Sequence, residues 1–458
     1  MAYHETTIAA QATAPGAAGV AVIRISGSAA LAVLRGCFSR AKAYEARRMY
    51  YGRVILKSDT GGEVVDHALA VYFPAPHSYT GEDCAEIHCH GGQETVRAVL
   101  QAAFASGAVP AAPGEFTKRA FLGGRMDLSQ AEAVMDIISA RAEGARRVAL
   151  GQLEGRLGQR VSQIQDNLLE LLAEIEVTVD YPEEDLEQHT ATSCMARLET
   201  IKAELTSLLC TARAGRALRE GVRCAIIGRP NTGKSSLLNA LLGEDRAIVT
   251  AQPGTTRDTL DAEASISGLA VTFIDTAGIR HSTDEIERMG VERAKRALSA
   301  ASLAILVLDG SEGIAEGDRA IYQAVGGAPL IVAVNKADLP QRITAAQAME
   351  DLPCLAAVSI SATTQQGVAD LEGLIYKACA GDEGLAEGAV LSNLRHIESV
   401  REGVDAITEA VNALQEGFPP DTAATDLRRA WHALGQVTGR TTDEDMIDLI
   451  FSRFCLGK

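Results

Sequence analysis

The segment GRPNTGKSS at 228–236 has the spacing G-x-x-x-x-G-K-[ST]. Gly228 and Gly233 let backbone N–H groups turn inward on phosphate oxygens. The run Asn231, Thr232, Gly233, Lys234, Ser235 and Ser236 then wraps the phosphates, with Lys234 reaching the terminal oxygens and Ser235 offering a hydroxyl to Mg2+. Two further segments repeat this logic. In Asp275-Thr276-Ala277-Gly278, the carboxylate can hold the Mg2+ shell and the Gly278 N–H can meet the γ-phosphate. In Asn335-Lys336-Ala337-Asp338, the Asp338 carboxylate can accept from both the ring N–H and the exocyclic amine of guanine, a donor pair that adenine lacks. Lys336 would lie along the base, with Ser361-Ala362-Thr363 closing over it. Order and spacing define a GTP-hydrolysing domain.

How it would hydrolyse GTP is less direct. The position after Asp275–Gly278, where many small GTPases carry a water-orienting Gln, is Ile279, and its apolar side chain cannot do that work. Two devices could replace it. Asn231, with carbonyls from TAQPGTTRD at 250–258, could cage a monovalent cation beside the β/γ phosphates, in the place of an arginine finger. Glu287 could position the water through an intermediary, or serve only as an exposed helix-cap carboxylate. Thr256 is the natural switch threonine for Mg2+. Arg257 reads equally as a finger and as a salt-bridged surface residue.

The elements that must carry these residues are legible from texture. VRCAIIG, VTFIDTAG, LAILVLDG, LIVAVNKAD and AAVSISA are continuous apolar runs ending in small or polar residues, as buried parallel strands do, with functional loops at their carboxyl ends. Upstream, VAVIRISG at 20–27, HALAVYF at 67–73 and CAEIHCHGG at 84–92 alternate with Gly/Pro punctuation, which predicts a small α+β domain. From about 127 the period becomes helical. Ser129 and Glu132 fit a capping box, and Val161, Ile164, Leu168, Leu171, Leu172, Ile175 and Val179 keep one stripe, as do Met195, Leu198, Ile201, Leu205 and Leu208. YPEED at 181–185 breaks that pattern. The chain is therefore expected to be multidomain, α+β and α/β: residues 1–120, a helical domain in two pieces (121–220 and 381–458), and an inserted Ras-like P-loop domain at 221–380.

Composition narrows the setting. The 458 residues hold 43 Lys plus Arg against 60 Asp plus Glu, a formal charge of −17, which argues against nucleic-acid binding through bulk charge. The first 120 residues are close to neutral, so that portion can host an anionic ligand. Nine cysteines, an odd number without dense spacing, fit reduced thiols in a cytoplasmic protein. No apolar run reaches the roughly 18–20 residues of a membrane span, and the N-terminus lacks a basic region followed by an apolar stretch.

GRPNTGKSSLLNALLGEDRAIVTAQPGTTRD, DTAGIRHSTDEIERMGVERA and the terminal FSRFCLGK resemble the MnmE (TrmE) family of bacterial tRNA-uridine modification GTPases. TIAAQATAPGAAGVAVIRISG, FPAPHSYTGEDCAEIHCHGG and APGEFTKRAFLGGRMDLSQAEAV resemble its N-terminal portion, so the likeness spans the chain. It implies a homodimer built on an N-terminal domain that binds a 5-formyltetrahydrofolate-type one-carbon folate. It also implies an FAD-dependent partner, MnmG, in a heterotetramer that modifies carbon 5 of the wobble uridine in the tRNA anticodon. Potassium is implied as activator, ligated by Asn231, Thr250, Gln252 and Thr255, with Thr250 and Thr255 also on the nucleotide. Ser235 and Thr256 would hold Mg2+, and Glu287 would position the water. The implied folate residues are Arg24, Glu86, Arg125 and Lys458; Arg125 stands where Lys is usual, keeping charge but changing geometry. Cys455 is the implied thiol of the modification chemistry, against the plain reading of a small buried hydrophobe. Leu456 replaces a β-branched residue.

Some readings fall away. Cys84, His88, Cys89 and His90 suit zinc by type, but in a strand Cys89 points away from the others and one segment cannot close a tetrahedron. Trp431, the single tryptophan, reads as core. A ribosome-assembly GTPase would carry a basic RNA-binding module, and none is visible. A signalling switch would hydrolyse slowly and ignore K+.

Overall fold

A computed structural model of the chain describes residues 6–39, 43–58, 61–180, 184–246, 261–274, 298, 300–381 and 388–458. Contacts divide the chain into two compact units, Met1–Met135 with Gly435–Lys458, and Asp136–Leu434. Both boundaries fall inside helices, Leu128–Ser139 and Pro420–Thr438.

The first unit is built on a six-stranded sheet in the order β3-β4-β5-β2-β1-β6. Its strands are β1 Ile8–Gln11, β2 Ala18–Ser26, β3 Tyr50–Ser58, β4 Gly61–Phe73, β5 Cys84–Gly91 and β6 Val109–Pro110. The alternation seen in VAVIRISG and CAEIHCHGG decides which side chains go inward. Ile23, Ile25, Ala85 and Ile87 join Leu34 of α1 (Ala30–Cys37) and Val99 of α2 (Gln93–Ala105) in one core. Residues one step out of phase, Arg24 and Glu86, face the other way, directly paired across β2 and β5. On that side lie α3 (Glu115–Leu122) and a cluster of Ile8, Ala10, Ala111 and Phe116.

The compact unit extends past residue 120 and takes in the end of the chain. Ile447, Phe451 and Phe454 pack with Leu128 and Ala131, and the Phe451 and Phe454 rings stand 5.0 Å apart. The capping box of α4 (Leu128–Ser139) lies two residues earlier than the spacing predicts. The Asp127 carboxylate accepts from Gln130 N at 2.9 Å, and Gln130 Oε1 accepts from Asp127 N at 3.0 Å. Ser129 is buried and donates to Asp127 at 2.7 Å, so Asp127, a stronger acceptor at the true N-cap, takes the role assigned to Ser129.

The second unit combines helices with a second six-stranded sheet, ordered β12-β11-β10-β7-β9-β8. Strands β7 (Val222–Ile227), β9 (Leu269–Ile274), β10 (Leu303–Asp309), β11 (Leu330–Asn335) and β12 (Ala356–Ser359) are parallel. Only β8 (Ala262–Ile266) runs antiparallel, hairpinned to β9. The apolar runs are buried throughout β10 and β11, as strands covered on both faces require. Among the helices, α5 spans Glu143–Leu153, α6 Arg156–Asp180, α7 Glu184–Cys210 and α8 Ala212–Glu220. The α6 stripe from Val161 to Ile175 is buried, as are Leu198, Ile201, Leu205 and Leu208 of α7. The side chain of Val179 and residues 181–183 of the expected break at 181–185 lie outside what is described, and Glu184 and Asp185 belong to α7.

The hairpin tip docks on α5. Gly144 N donates to Gly268 O at 2.9 Å, and a Cβ on Gly144 would stand 2.6 Å from that oxygen and 2.6 Å from Leu218 Cδ2. Only glycine permits this approach. Arg141 of the helical segment reaches Glu263 of β8 at 2.7 Å beside it.

Candidate active site

The phosphate loop leaves β7 and enters α9 (Lys234–Arg246) at the carboxyl edge of the parallel strands. Its shape needs left-handed backbone: Gly228 has φ +148°, Asn231 +64° and Gly233 +95°. A Cβ at Gly228 would stand 2.5 Å from Val307 O, and one at Gly233 would stand 2.1 Å from Asn335 Nδ2. The two glycines of the motif are therefore demanded by space as well as torsion. The cradle thus formed at the start of a helix suits a polyphosphate.

Lys234 is half-buried and donates from Nζ to Arg229 O at 2.5 Å, an oxygen it shares with Thr232 Oγ1 at 3.0 Å. Burial pulls its ammonium down to about 8, with the charge of Asp318 acting against that. The charged form attracts phosphate, so part of it is lost as pH rises through 8. Bound phosphates restore the proton, and binding then takes one up. Between pH 7 and pH 8.5 the GTP dissociation constant should rise about fourfold. Equilibrium titration with a fluorescent nucleotide checks this, and a flat profile contradicts it.

The base-recognition residues are tied to that loop. Asn335 is buried at the end of β11. Its Nδ2 donates to Thr232 O at 2.8 Å and its Oδ1 accepts from Ala362 N at 3.0 Å, joining three motifs through one amide. Asp338 is exposed and accepts at one oxygen from the buried Ser361 hydroxyl at 2.6 Å. Lys336, at φ +64°, forms an ion pair with Asp309. Burial raises the Asp309 carboxyl, but hydrogen bonds from Lys336 and Ser311 outweigh it and hold the group below the ordinary range. Asp309 was not singled out from sequence, although it ends LAILVLDG as Asn335 ends its own strand. That placement was the available signal. Ser235 and Ser236 open α9 on the exposed side. Thr250, Gln252, Thr255, Thr256, Asp275, Thr276, Ala277, Gly278 and Glu287 lie outside the described residues.

The first unit holds a second cluster. Arg24 Nε donates to Glu86 Oε1 at 3.0 Å, and His88 Nε2 stands 3.3 Å from Glu86 Oε2. Burial raises the Glu86 carboxyl, but His88 and Arg24 more than offset it, leaving a carboxylate held below its usual range. The Arg24 guanidinium lies 4.7 Å from the Tyr79 ring centroid and 5.8 Å from that of Phe116. Its Nη1 is buried without a hydrogen-bond partner among the described residues, which fits a site that expects an acceptor from elsewhere. Tyr79 and Phe116 could not be found from sequence, since only the fold brings them to Arg24.

The chain end joins this cluster. Gly457 has φ +89°, and a Cβ there would stand 1.9 Å from Gln11 O, so the terminal peptide crosses β1 in a way no other residue allows. Lys458 is lowered by burial and by the Arg24 charge, with Cys455 and Glu86 opposing. Arg125 is exposed, with its stem beside Gly81; among the described residues no hydrogen bond or ion pair links it to Arg24, Glu86 or Lys458. Cys455 is exposed, which removes the reading of a buried apolar filler. Cys37, by contrast, is buried and its thiol is pushed up to about 12. Among the described residues no three His, Cys, Asp or Glu side chains are grouped to hold a metal: Cys84 bonds Thr80 and Ser26, and His90 pairs with Asp66. Trp431 is half-buried, its carbonyl accepting from Gln165 at 2.9 Å. No described helix is long and apolar enough to cross a membrane.

Sheet order, phosphate cradle and the Asn335–Asp338 loop together define a P-loop GTPase. Comparison with known proteins places it further. Residues 128–455 match the model of the MnmE helical domain, and residues 7–125 match that of the GTP-binding protein TrmE N-terminus. The chain is 41% identical to the tRNA modification GTPase MnmE of Heliobacterium modesticaldum, covering 99% of each. It is 43% identical to that of Geobacillus kaustophilus, again over 99% of each. Against that of a Synechococcus species it is 44% identical over 99% of this chain and 98% of the relative. The chain belongs to the MnmE (TrmE) family of tRNA modification GTPases.

Proposed function

We propose that the chain is a K+-activated GTPase that works with an FAD-dependent partner of the MnmG kind. Together they use a one-carbon tetrahydrofolate to add an aminomethyl or carboxymethylaminomethyl group to carbon 5 of the wobble uridine of certain tRNAs. The observation that carries this reading is a second polar cluster, Arg24–Glu86 with Lys458, in a different unit from the phosphate loop. Glu86 offers a carboxylate to the amine and ring N–H of a pterin, and the cations suit the anionic tail. Arg125 belongs to the proposed set by its charge alone, with its stem beside Gly81.

In the nucleotide site, Ser235 and Thr256 would hold Mg2+, with Asp275 in its shell. Asn231, Thr250, Gln252 and Thr255 would hold K+, which would supply positive charge beside the phosphates. Glu287 would orient the attacking water. Cys455, exposed near Lys458, would serve the modification chemistry. The protein would act in the cytoplasm as a homodimer on the N-terminal domain, with residues 121–220 and 381–458 as the two pieces of the helical domain. The Gly144–Gly268 contact supports a route from the GTPase core to the helices: the docked hairpin joins the segment holding Thr250–Thr256 to the one beginning at Asp275.

The test is reconstitution with tRNA, GTP, one-carbon folate and the partner, reading the wobble nucleoside by mass spectrometry. The wild-type protein should form the modified nucleoside only with folate present. Arg24→Ala should keep GTP turnover and lose product at least about tenfold, since it removes a charged hydrogen-bond partner. Product formed equally without folate, or by Arg24→Ala, would overturn the folate assignment.

A further inference from the structure

The left-handed turns of the phosphate loop at Gly228, Asn231 and Gly233 are tied to groups outside the loop, as strained backbone requires. Asn335 is one such tie. A second runs through Arg229, the residue after Gly228. Its Nε donates to Asp318 Oδ2 at 2.9 Å, and its Nη2 reaches the exposed Glu312 at 3.2 Å. Asp318 is fully buried, on the helix Glu316–Val325. Its Oδ2 also accepts from Ala315 N at 3.0 Å, while Oδ1 has no partner among the described residues.

A buried carboxylate is costly unless it is paired, and the cation supplied here comes from the phosphate loop itself. Gly317 makes room for that cation, since a Cβ there would stand 3.0 Å from Arg229 Cδ. The Arg229 carbonyl is the oxygen shared by Lys234 and Thr232. The side chain that Asp318 grips therefore belongs to the residue whose backbone seats the phosphate-binding lysine.

We propose that Asp318 is a positioning residue of the GTPase: by anchoring Arg229 it preforms the phosphate loop, so that nucleotide binding need not first order it. Asp318 holds the loop through Arg229; its charge also supports the Lys234 ammonium, so affinities are compared well below pH 8, where Lys234 stays charged. Loss of the anchor lowers the fraction of competent loop, and apparent affinity falls in proportion. A residue that only capped the helix would affect folding and leave nucleotide affinity alone.

The experiment uses the full chain, with equilibrium GDP binding, steady-state GTP turnover and thermal melting of the nucleotide-free protein. Asp318→Asn keeps volume and can still accept from Ala315 N but gives up the charge. The GDP dissociation constant and the GTP KM should each rise about tenfold, as expected for a lost charge-assisted hydrogen bond, with kcat little changed. Asp318→Glu should recover part of the affinity. Adding Asp318→Asn to Arg229→Gln should cost nothing further, because both break one link. Glu312→Gln, at an exposed partner, should stay within about twofold. Affinity within twofold of wild type in Asp318→Asn, or losses that multiply in the double variant, would overturn the proposal. If Asp318→Asn does not fold, Arg229→Gln, which leaves the helix cap intact, decides the matter, and unchanged affinity there overturns it equally.

Discussion

Asp338→Asn is expected to reverse the base preference of the enzyme. The carboxylate can accept both donors on the Watson–Crick edge of guanine, and Ser361 already holds one of its oxygens at 2.6 Å, which fixes its orientation. An Asn side chain turns one acceptor into an amine that faces the guanine amine, donor against donor. Xanthine carries a carbonyl at that place and accepts from the new amide. A site built to pair a polar edge rejects the mispaired analogue by a large factor. GTP turnover at subsaturating concentration should fall about a thousandfold, while xanthosine triphosphate becomes the better substrate. Competition between the two triphosphates measures this directly. A variant that still favours GTP would mean that another group reads the base.

The second large effect concerns charge at the transition state. With Ile279 where a water-orienting Gln would stand, Asn231 and Glu287 are the residues proposed to replace it. Asn231 is exposed and left-handed at φ +64°, held in the phosphate loop between Gly228 and Gly233. In potassium, Asn231→Ala and Glu287→Ala should each lower kcat about a hundredfold while nucleotide still binds. Loss of one preorganised group that acts on developing charge has that scale. Single-turnover hydrolysis with bound nucleotide verified beforehand separates this from simple loss of affinity. A Glu287→Ala protein with wild-type kcat would return that residue to an exposed helix-cap carboxylate.

The parallel sheet was legible because burial on both faces leaves continuous apolar runs, and its strand-end motifs follow directly. The phosphate loop was legible for the same reason that makes it rigid: Gly228 and Gly233 stand where a Cβ would strike Val307 and Asn335. The partners of those motifs were hidden. Asp318 and Asp309 lie far along the chain from Arg229 and ahead of Lys336, and no periodicity links an acid to a cation that folding brings beside it. Tyr79 and Phe116 around Arg24 are hidden likewise. The capping box shifted from Ser129 to Asp127 because both pairs satisfy the same spacing, and only burial of Ser129 against Asp127 separates them. The packing of Phe451 and Phe454 on Leu128 also escaped a reading that follows helical period, since period says which face is apolar and not what covers it.

The proposed GTPase core has Ile279 in place of a catalytic Gln and would take its missing charge from a potassium ion. GTP turnover by the purified chain in KCl and in NaCl at equal ionic strength tests that most directly. A rate in KCl higher by roughly a hundredfold, the scale of one transition-state charge contact, is the expected result. Equal, slow rates in both salts would contradict it and leave a nucleotide switch that awaits an activator from another protein.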